Sequence, residues 1–237
     1  LSPTTNGGIT VPQIAAMGHS AWSIAIGEQM RGAAQALLER TGVPFRLFDR
    51  LTGLGPCDEL IAFLAEISDT PVPLKIRRQR SQLVDAMLDG HFFFGGKRVA
   101  IGAEPDLLYT VGSWLAEMGC EIAQAVTTTH SPVLERLPVE TVLIGDLEDL
   151  ENGASGCDLL ITHSHGRQAS ERLHVPLFRM GIPTFDRLGA GHLVSVGYRG
   201  TRDLVFSIGN TFMAQSHEAN PDTWGQGAQS HVHAPVE

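Results

Sequence analysis

Two rhythms of apolar and polar residues take turns along this chain. Short apolar runs bounded by Gly or Pro read as buried strands. Stretches with apolar residues at every third or fourth position read as amphipathic helices. A short helix is predicted over residues 11–18, with Thr10 as N-cap and Pro12 in the first turn. Residues 22–26 (WSIAI) read as a strand, 28–41 as a helix closed by Gly42, and 45–48 as a second strand. A helix over 58–68 places Leu60, Ile61, Leu64 and Ile67 on one face. Strand and helix alternate as in a doubly wound sheet. Two short strands do not make a parallel sheet that is stable by itself. The expectation is a part-domain that is truncated or leans on another chain, with an edge strand left without its neighbour.

Pro71 and Pro73 break this pattern. A long helix follows over 74–92, basic in its first half (Lys75, Arg77, Arg78, Arg80) and apolar along Ile76, Leu83, Val84, Met87 and Leu88. The basic end reads as a solvated face, or alternatively as a surface for a partner or an anion. After Gly95-Gly96 the pattern predicts a strand at 97–102, a helix at 105–118 capped by Gly119, and strands at 121–126 and 141–144. A short acidic helix at 146–151, a strand at 157–162, a helix at 168–173 and a strand at 176–180 come next. An extended piece at 195–196 and a last helix at 200–216 complete it. The fold class is therefore α/β: Rossmann-like parallel sheets flanked by helices, one domain incomplete and one complete with four or five parallel strands. The expected boundaries are 1–73 for the first domain, 74–96 for a connecting helix and turn, 97–218 for the second domain, and 219–237 for a mobile tail. His231 and His233 in that tail support no metal assignment.

Composition narrows the function. The 237 residues are 43% hydrophobic and 6% aromatic with 26 glycines, enough for a real core and suited to many tight strand–helix turns. The net charge of −9 argues against nucleic-acid binding, which needs a basic surface. No apolar run approaches the ~18 residues that would argue a membrane span. Cys57, Cys120 and Cys157 are scattered and odd in number, as in a reduced, cytosolic protein, not a disulfide framework. No basic-then-apolar leader opens the chain. It begins at Leu1 on a loop-like sequence, and a longer protein is expected upstream.

The first strand–helix turn of the second domain is where a dinucleotide would sit. It reads Gly102-Ala103-Glu104-Pro105-Asp106, not GxGxxG, and its two carboxylates would repel a phosphate while complementing the helix dipole. Thr162-His163-Ser164-His165-Gly166 follows a buried strand, hence lies where open α/β sheets place ligands. Two histidines there could bind a metal or move protons, or simply cap the next helix. Asp146, Glu148, Asp149 and Glu151 read as a solvated acidic face. Arg179, Asp186, Arg187, Tyr198 and Arg199 flank Gly-rich turns that suit an interface more than a ligand. No catalytic, cofactor-binding or metal-ligating residue is assigned.

Several spaced segments carry a resemblance: RQRSQLVDAMLDGHFFFGGKRVAI, AEPDLL, GDLEDLE, HSHGRQAS, VPLFRMGIPTFDRLGA and GYRGTR, with GGITVPQIAAMGHS and AIGEQMRGAAQALLERTGVP upstream. Together they resemble the nitrogenase component 1 family, most of all its β-like subunits of the scaffold that assembles the iron–molybdenum cofactor. The resemblance implies three Rossmann-like domains and pairing with a NifE-type subunit in an α2β2 heterotetramer, in the cytoplasm. It implies a scaffold that hosts and matures the cofactor precursor before transfer to nitrogenase, with transient contact to the nitrogenase reductase (Fe protein). It implies an iron–sulfur cluster and the FeMo-cofactor precursor in the intact complex, none bound by this portion, and no independent catalysis by this chain. The cluster cysteine of such subunits lies near their N-terminus. Cys57, Cys120 and Cys157 do not match it, so no ligand is carried over. The loop reads His163-Ser164-His165 where the family pattern leads one to expect Asn-Ser-His. The alternatives are a β-type subunit of a nitrogenase-like reductase (nitrogenase or dark-operative protochlorophyllide reductase), or a stand-alone metal-binding module using His163 and His165.

Overall fold

The computed structural model describes residues 8–218. The tail histidines His231 and His233 lie outside the described residues. Thr10 caps α1 (Val11–Ala15) in a capping box with Gln13, and a 3-10 turn continues it to His19. β1 (Ser23–Ile26), α2 (Arg31–Thr41), β2 (Phe45–Phe48) and α3 (Leu54–Ser68) follow. Gly42 ends α2 in the left-handed conformation that only glycine takes without strain. β1 and β2 pair in parallel as a two-stranded sheet, and Trp22, Ile24 and Ile26 stay exposed. Of α3 only Cys57 is fully buried; its predicted apolar face is half covered. Helix α3 starts four residues earlier than the pattern predicts, because Gly53 turns the chain and Pro56 fits a first turn.

The second sheet is built from β3 (Arg98–Gly102), β4 (Glu121–Thr127), β5 (Leu143–Ile144), β6 (Leu159–Thr162) and β7 (Leu177–Arg179), all parallel, in the order β5-β4-β3-β6-β7. The order reverses beside β3, so a crevice opens between the carboxyl ends of β3 and β6. Alternate residues of the central strands feed two cores. Val99, Ile101, Leu159 and Ile161 pack with the buried faces of α4 (Leu74–Phe94), α5 (Pro105–Glu117) and α8 (Gly197–Glu218). Ala100 and Leu160 pack on the other face with Leu150 of α6 (Leu147–Gly153) and Ala169 of α7 (Arg167–Leu173). Burial on both faces is what made these strands read as unbroken apolar runs.

The stripe that α4 buries is Leu83, Ala86, Gly90 and Phe94, whereas Leu88 is 66% exposed. Of the predicted apolar face, Leu83 is fully buried and Ile76 and Met87 pack against the core, so only the Leu88 edge misses, while the small residues Ala86 and Gly90 belong to the buried stripe. A Cβ on Gly90 would stand 2.6 Å from Cγ1 of Val205, so the small residues are what admit α8 against α4. Phe94 then stacks edge-on against Trp114 and Phe212, with ring centroids 5.9 and 5.4 Å apart. Helix α8 starts at Gly197, three residues early, and no strand forms at 195–196.

The first lobe meets the second along a polar seam that no sequence pattern announced. Asp106, in the first turn of α5, accepts hydrogen bonds from the backbone N–H of Glu28 (2.8 Å) and Gln29 (3.4 Å). These N–H groups open the 3-10 turn Glu28–Met30, whose preceding Gly27 offers no side-chain cap. Arg136 pairs with Asp49 at 2.5 Å, Arg50 pairs with Glu117, and both guanidinium groups lie over the ring of Tyr109. Thr52 and Gly53 are tied to the second lobe through Ser195 O and Thr201 Oγ1.

Candidate functional site

All five strands of the second sheet deliver residues to one small cavity at their carboxyl ends, about 160 Å3 in volume. Gly102, Ala103 and Glu104 come from the turn after β3, and Val126, Thr127 and Thr128 from the end of β4. Gly145, Asp146 and Leu147 come from the turn after β5, Thr162 and His163 from the end of β6, and Met180, Gly181 and Ile182 from the turn after β7. Thr127 is 2% exposed and Thr162 fully buried. The hydroxyls of both find no hydrogen-bond partner among the described residues. Most such buried groups are paired; these two lie on opposite faces of the sheet, Thr127 on the side of Ala125 and Thr162 on the side of Leu160. Glu104 and Asp146 stand exposed at the mouth, and Asp146 also caps α6 through the N–H groups of Glu148 and Asp149.

The histidine loop is built by a different set of contacts. Ser164 is buried, donates to Asp186 at 2.5 Å and accepts from the N–H of Phe185 at 3.0 Å. Arg179 grips the same Asp186 carboxylate in a bidentate pair, with Nε 2.8 Å from each oxygen. That pair, with Ser164, holds Asp186 far below the usual carboxylate range. Nδ1 of His163 accepts from the N–H of His165 at 3.3 Å, which leaves its proton on Nε2 in the neutral ring. Burial lowers the pKa of His163, and the neighbouring His165 adds to this against a smaller opposite pull from Glu104. The rings of His163 and His165 are 5.4 Å apart, edge to face, but His163 lines the strand-end cavity while His165 lines a separate surface cleft with Glu148, Glu151 and Arg172. Among the described residues no group of three or more His, Cys, Asp or Glu is placed to hold a metal ion.

A larger cleft of about 890 Å3 lies alongside, between the turn after β7, residues 190–199 and the first turns of α8, with Gln79 of α4. Arg179, Tyr198 and Arg199 line it. Tyr198 is buried and donates to Asp58 at 2.6 Å, and Arg80 holds the same carboxylate bidentately. Of the basic end of α4, then, Arg80 is part of an intramolecular network, while Lys75, Arg77 and Arg78 remain exposed. The adjoining loop carries Ile182, Phe185, Leu188, Leu193 and Val194, all exposed, Ile182 at 91%. In the acidic helix, Asp146 caps and Glu151 pairs with Arg172.

The three cysteines do not converge. Cys57 and Cys120 belong to the core on one face of the second sheet and Cys157 to the core on the other. Burial pushes the thiols of Cys57 and Cys120 up to about 11 and about 12, and raises Cys157 as well. The thiols of Cys57 and Cys120 donate to the carbonyls of Leu51 and Phe94. Such cysteines do not fit an iron–sulfur cluster, which needs several thiolates converging on one centre. What sequence reasoning missed were the two threonines and the reach of Asp106. A Thr closing each of two buried strands (AQAVT, LLIT) was the available signal for the former.

The sequence profile described as nitrogenase component 1 type oxidoreductase matches residues 1–213. The nitrogenase iron-molybdenum cofactor biosynthesis protein NifN of Bradyrhizobium diazoefficiens is 59% identical over 226 residues, covering 93% of this chain and 48% of that protein. Its counterparts in Mesorhizobium japonicum and Nostoc sp. are 53% and 51% identical, covering 92% and 90% of this chain and 48% of each of those proteins. The chain thus spans about half the length of these curated relatives. The solved structure of nitrogenase Cp1 at pH 6.5 superposes with a TM-score of 0.79 at 26% identity, over 100% of this chain and 54% of that one. A chain of nitrogenase Cp1 at pH 5 gives 0.63 at 12% identity, over 87% of this chain and 50% of that one, and so speaks to the fold alone. On the profile match and the architecture together, the chain belongs to the nitrogenase component 1 type oxidoreductase family.

Proposed function

We propose that this chain is part of a scaffold subunit on which the iron–molybdenum cofactor precursor is hosted and matured before transfer to nitrogenase. The observation that carries the reading is the 59% identity to a NifN protein across 93% of the chain. The subunit pairs with a NifE-type partner in an α2β2 heterotetramer in the cytoplasm and meets the Fe protein transiently. The iron–sulfur cluster and the precursor belong to that intact complex, since the cysteines here are buried thiols in two separate cores. No step of catalysis is assigned to this chain. Residues 1–73 form the latter part of a middle domain, 74–96 the connecting helix and turn, and 97–218 the C-terminal domain. Two surfaces support a role in assembly: the exposed apolar residues of β1 and its flank, and the apolar loop around Ile182 and Leu193. No helix among the described residues is long and apolar enough to cross a membrane.

The test is co-purification. A tagged full-length protein, co-expressed with a NifE-type subunit, is expected to elute as an equimolar complex containing iron. Its deletion is expected to leave nitrogenase without its cofactor and restorable by added cofactor. Elution alone, or reduction of nitrogenase substrates by the complex and the Fe protein at the rates of a reductase, would overturn the scaffold reading.

A further inference from the structure

We propose that the half of the full-length protein lying outside these 237 residues folds over the large cleft beside β7, so that the exposed apolar loop 182–194 is a contact between domains of one subunit. The inference rests on the reading of the chain as part of a NifN-like subunit. The cleft, about 890 Å3, is walled by residues 180–184 after β7, by residues 190–196 and by the first turns of α8. Ile182, Phe185, Leu188, Leu193 and Val194 of this loop are each more than half exposed. Monomeric proteins rarely leave a contiguous apolar patch above a few hundred Å2 open, and larger ones mark contact surfaces. The loop is built into the fold. Arg179 and Ser164 hold Asp186, and Thr184 donates to the carbonyl of Gly181 at 2.9 Å. At its far end the carbonyl of Ser195 accepts from Thr52, and the N–H of Gly197 donates to the carbonyl of Leu51, both at 2.8 Å. These anchors fix the backbone from which the apolar side chains project.

Chemistry and tethering select the occupant. A small ligand is oriented by convergent polar groups. Here Arg179 is paired with Asp186 and the Tyr198 hydroxyl with Asp58, while exposed Phe185 and Leu188 lie outside the cleft wall. The apolar surface is wider than the cavity, as for a protein face. The chain covers 48% of the Bradyrhizobium diazoefficiens relative, so about as much polypeptide again belongs to such a subunit. The cleft is where that polypeptide would meet both lobes. Leu51 and Thr52 follow β2 and residues 180–184 follow β7, so the carboxyl ends of both sheets lead to it. The first sheet holds only β1 and β2 among the described residues, and two parallel strands are not stable by themselves. The remaining polypeptide therefore already comes alongside the first lobe. A tethered domain meets its contact at an effective concentration on the order of mM, and so covers the patch as the chain folds, before a separate subunit arrives. The assembly this loop serves is that of the subunit itself, ahead of that of the complex.

The test uses the full-length protein expressed without a partner subunit. Leu193→Cys and, as a second position, Val194→Cys are labelled with a maleimide, and the modified peptide is followed by mass spectrometry. Each is expected to react at least about tenfold more slowly than the same variant in denaturant, at every protein concentration. Backbone hydrogen exchange over residues 185–194 of the unsubstituted protein gives the same reading without a variant. A photoreactive p-benzoylphenylalanine in place of Leu193 is expected to cross-link, in dilute solution, to peptides of the same polypeptide outside these 237 residues. Labelling at the denatured rate in the full-length protein would overturn the proposal. Protection that appears only when a NifE-type subunit is added would assign the loop to that partner, and protection that grows with concentration would assign it to a second copy; either result overturns it. None of these outcomes touches the scaffold reading, which is decided by the iron content of the complex and by cofactor rescue.

Discussion

Replacing Asp106 by Ala tests whether the two lobes are joined by a borrowed cap. The carboxylate satisfies the N–H of Glu28 at 2.8 Å and that of Gln29 at 3.4 Å, across 78 and 77 residues of sequence. Removing a helix-capping acceptor costs about 0.5–2 kcal/mol. Losing an acidic group from the first turn of α5 costs a further 0.3–1 kcal/mol or so. The sum is about 1–3 kcal/mol, and at roughly 2–4 °C per kcal/mol for a chain of this size a loss near the middle of that range lowers the thermal midpoint by about 4–8 °C. Asp106→Asn keeps an acceptor but not the charge and is expected to lose about half as much. Hydrogen exchange gives the local readout: the amides of Glu28 and Gln29 lose protection in Asp106→Ala and keep most of it in Asp106→Asn. If Asn proves as costly as Ala while the Glu28 amide stays protected, the carboxylate serves only the α5 dipole and the cap argument fails.

Three further outcomes follow from the geometry. Gly90→Ala places a methyl 2.6 Å from Cγ1 of Val205; overpacking of about 1–3 kcal/mol is set against the ~1 kcal/mol gain in helix propensity, and urea unfolding is expected to show a net loss of about 1 kcal/mol, at most about 2. Gly90→Ser faring no worse than the parent would refute the close packing of α4 on α8. Asp186 is depressed by Arg179 and Ser164, so its contribution is complete above the ordinary carboxylate pKa and is lost as pH falls through the lowered folded value. Chemical denaturation from pH 5 downward is expected to show wild type losing stability over that window and Asp186→Asn, weaker at neutral pH, losing less; parallel curves would remove the Arg179–Asp186–Ser164 anchor from the account. Finally, Cys57, Cys120 and Cys157 are buried with raised pKa values, so a thiol reagent at pH 8 is expected to label none of them until denaturant is added. Fast labelling of the folded protein would contradict their place in the cores.

The alternation of apolar runs and helical stripes was sufficient for the α/β class, for the succession of elements and for two strands followed by four or five, of which the structure forms five. These depend on local periodicity and on turn residues such as Gly42 and Pro105, which act within a few positions of themselves. Only tertiary structure decided what individual side chains face. Asp106 caps a turn in the other lobe, and Leu88 points to solvent while Gly90 is buried. His163 and His165, two residues apart, line different clefts because Ser164 between them is anchored to Asp186. Thr127 and Thr162 border one cavity from opposite faces of the sheet because the strand order sets β4 and β6 on either side of β3. The physical reason is range. Periodicity records which side of an element is apolar, but partners across tens of residues are chosen by strand order and helix approach, which no local window contains.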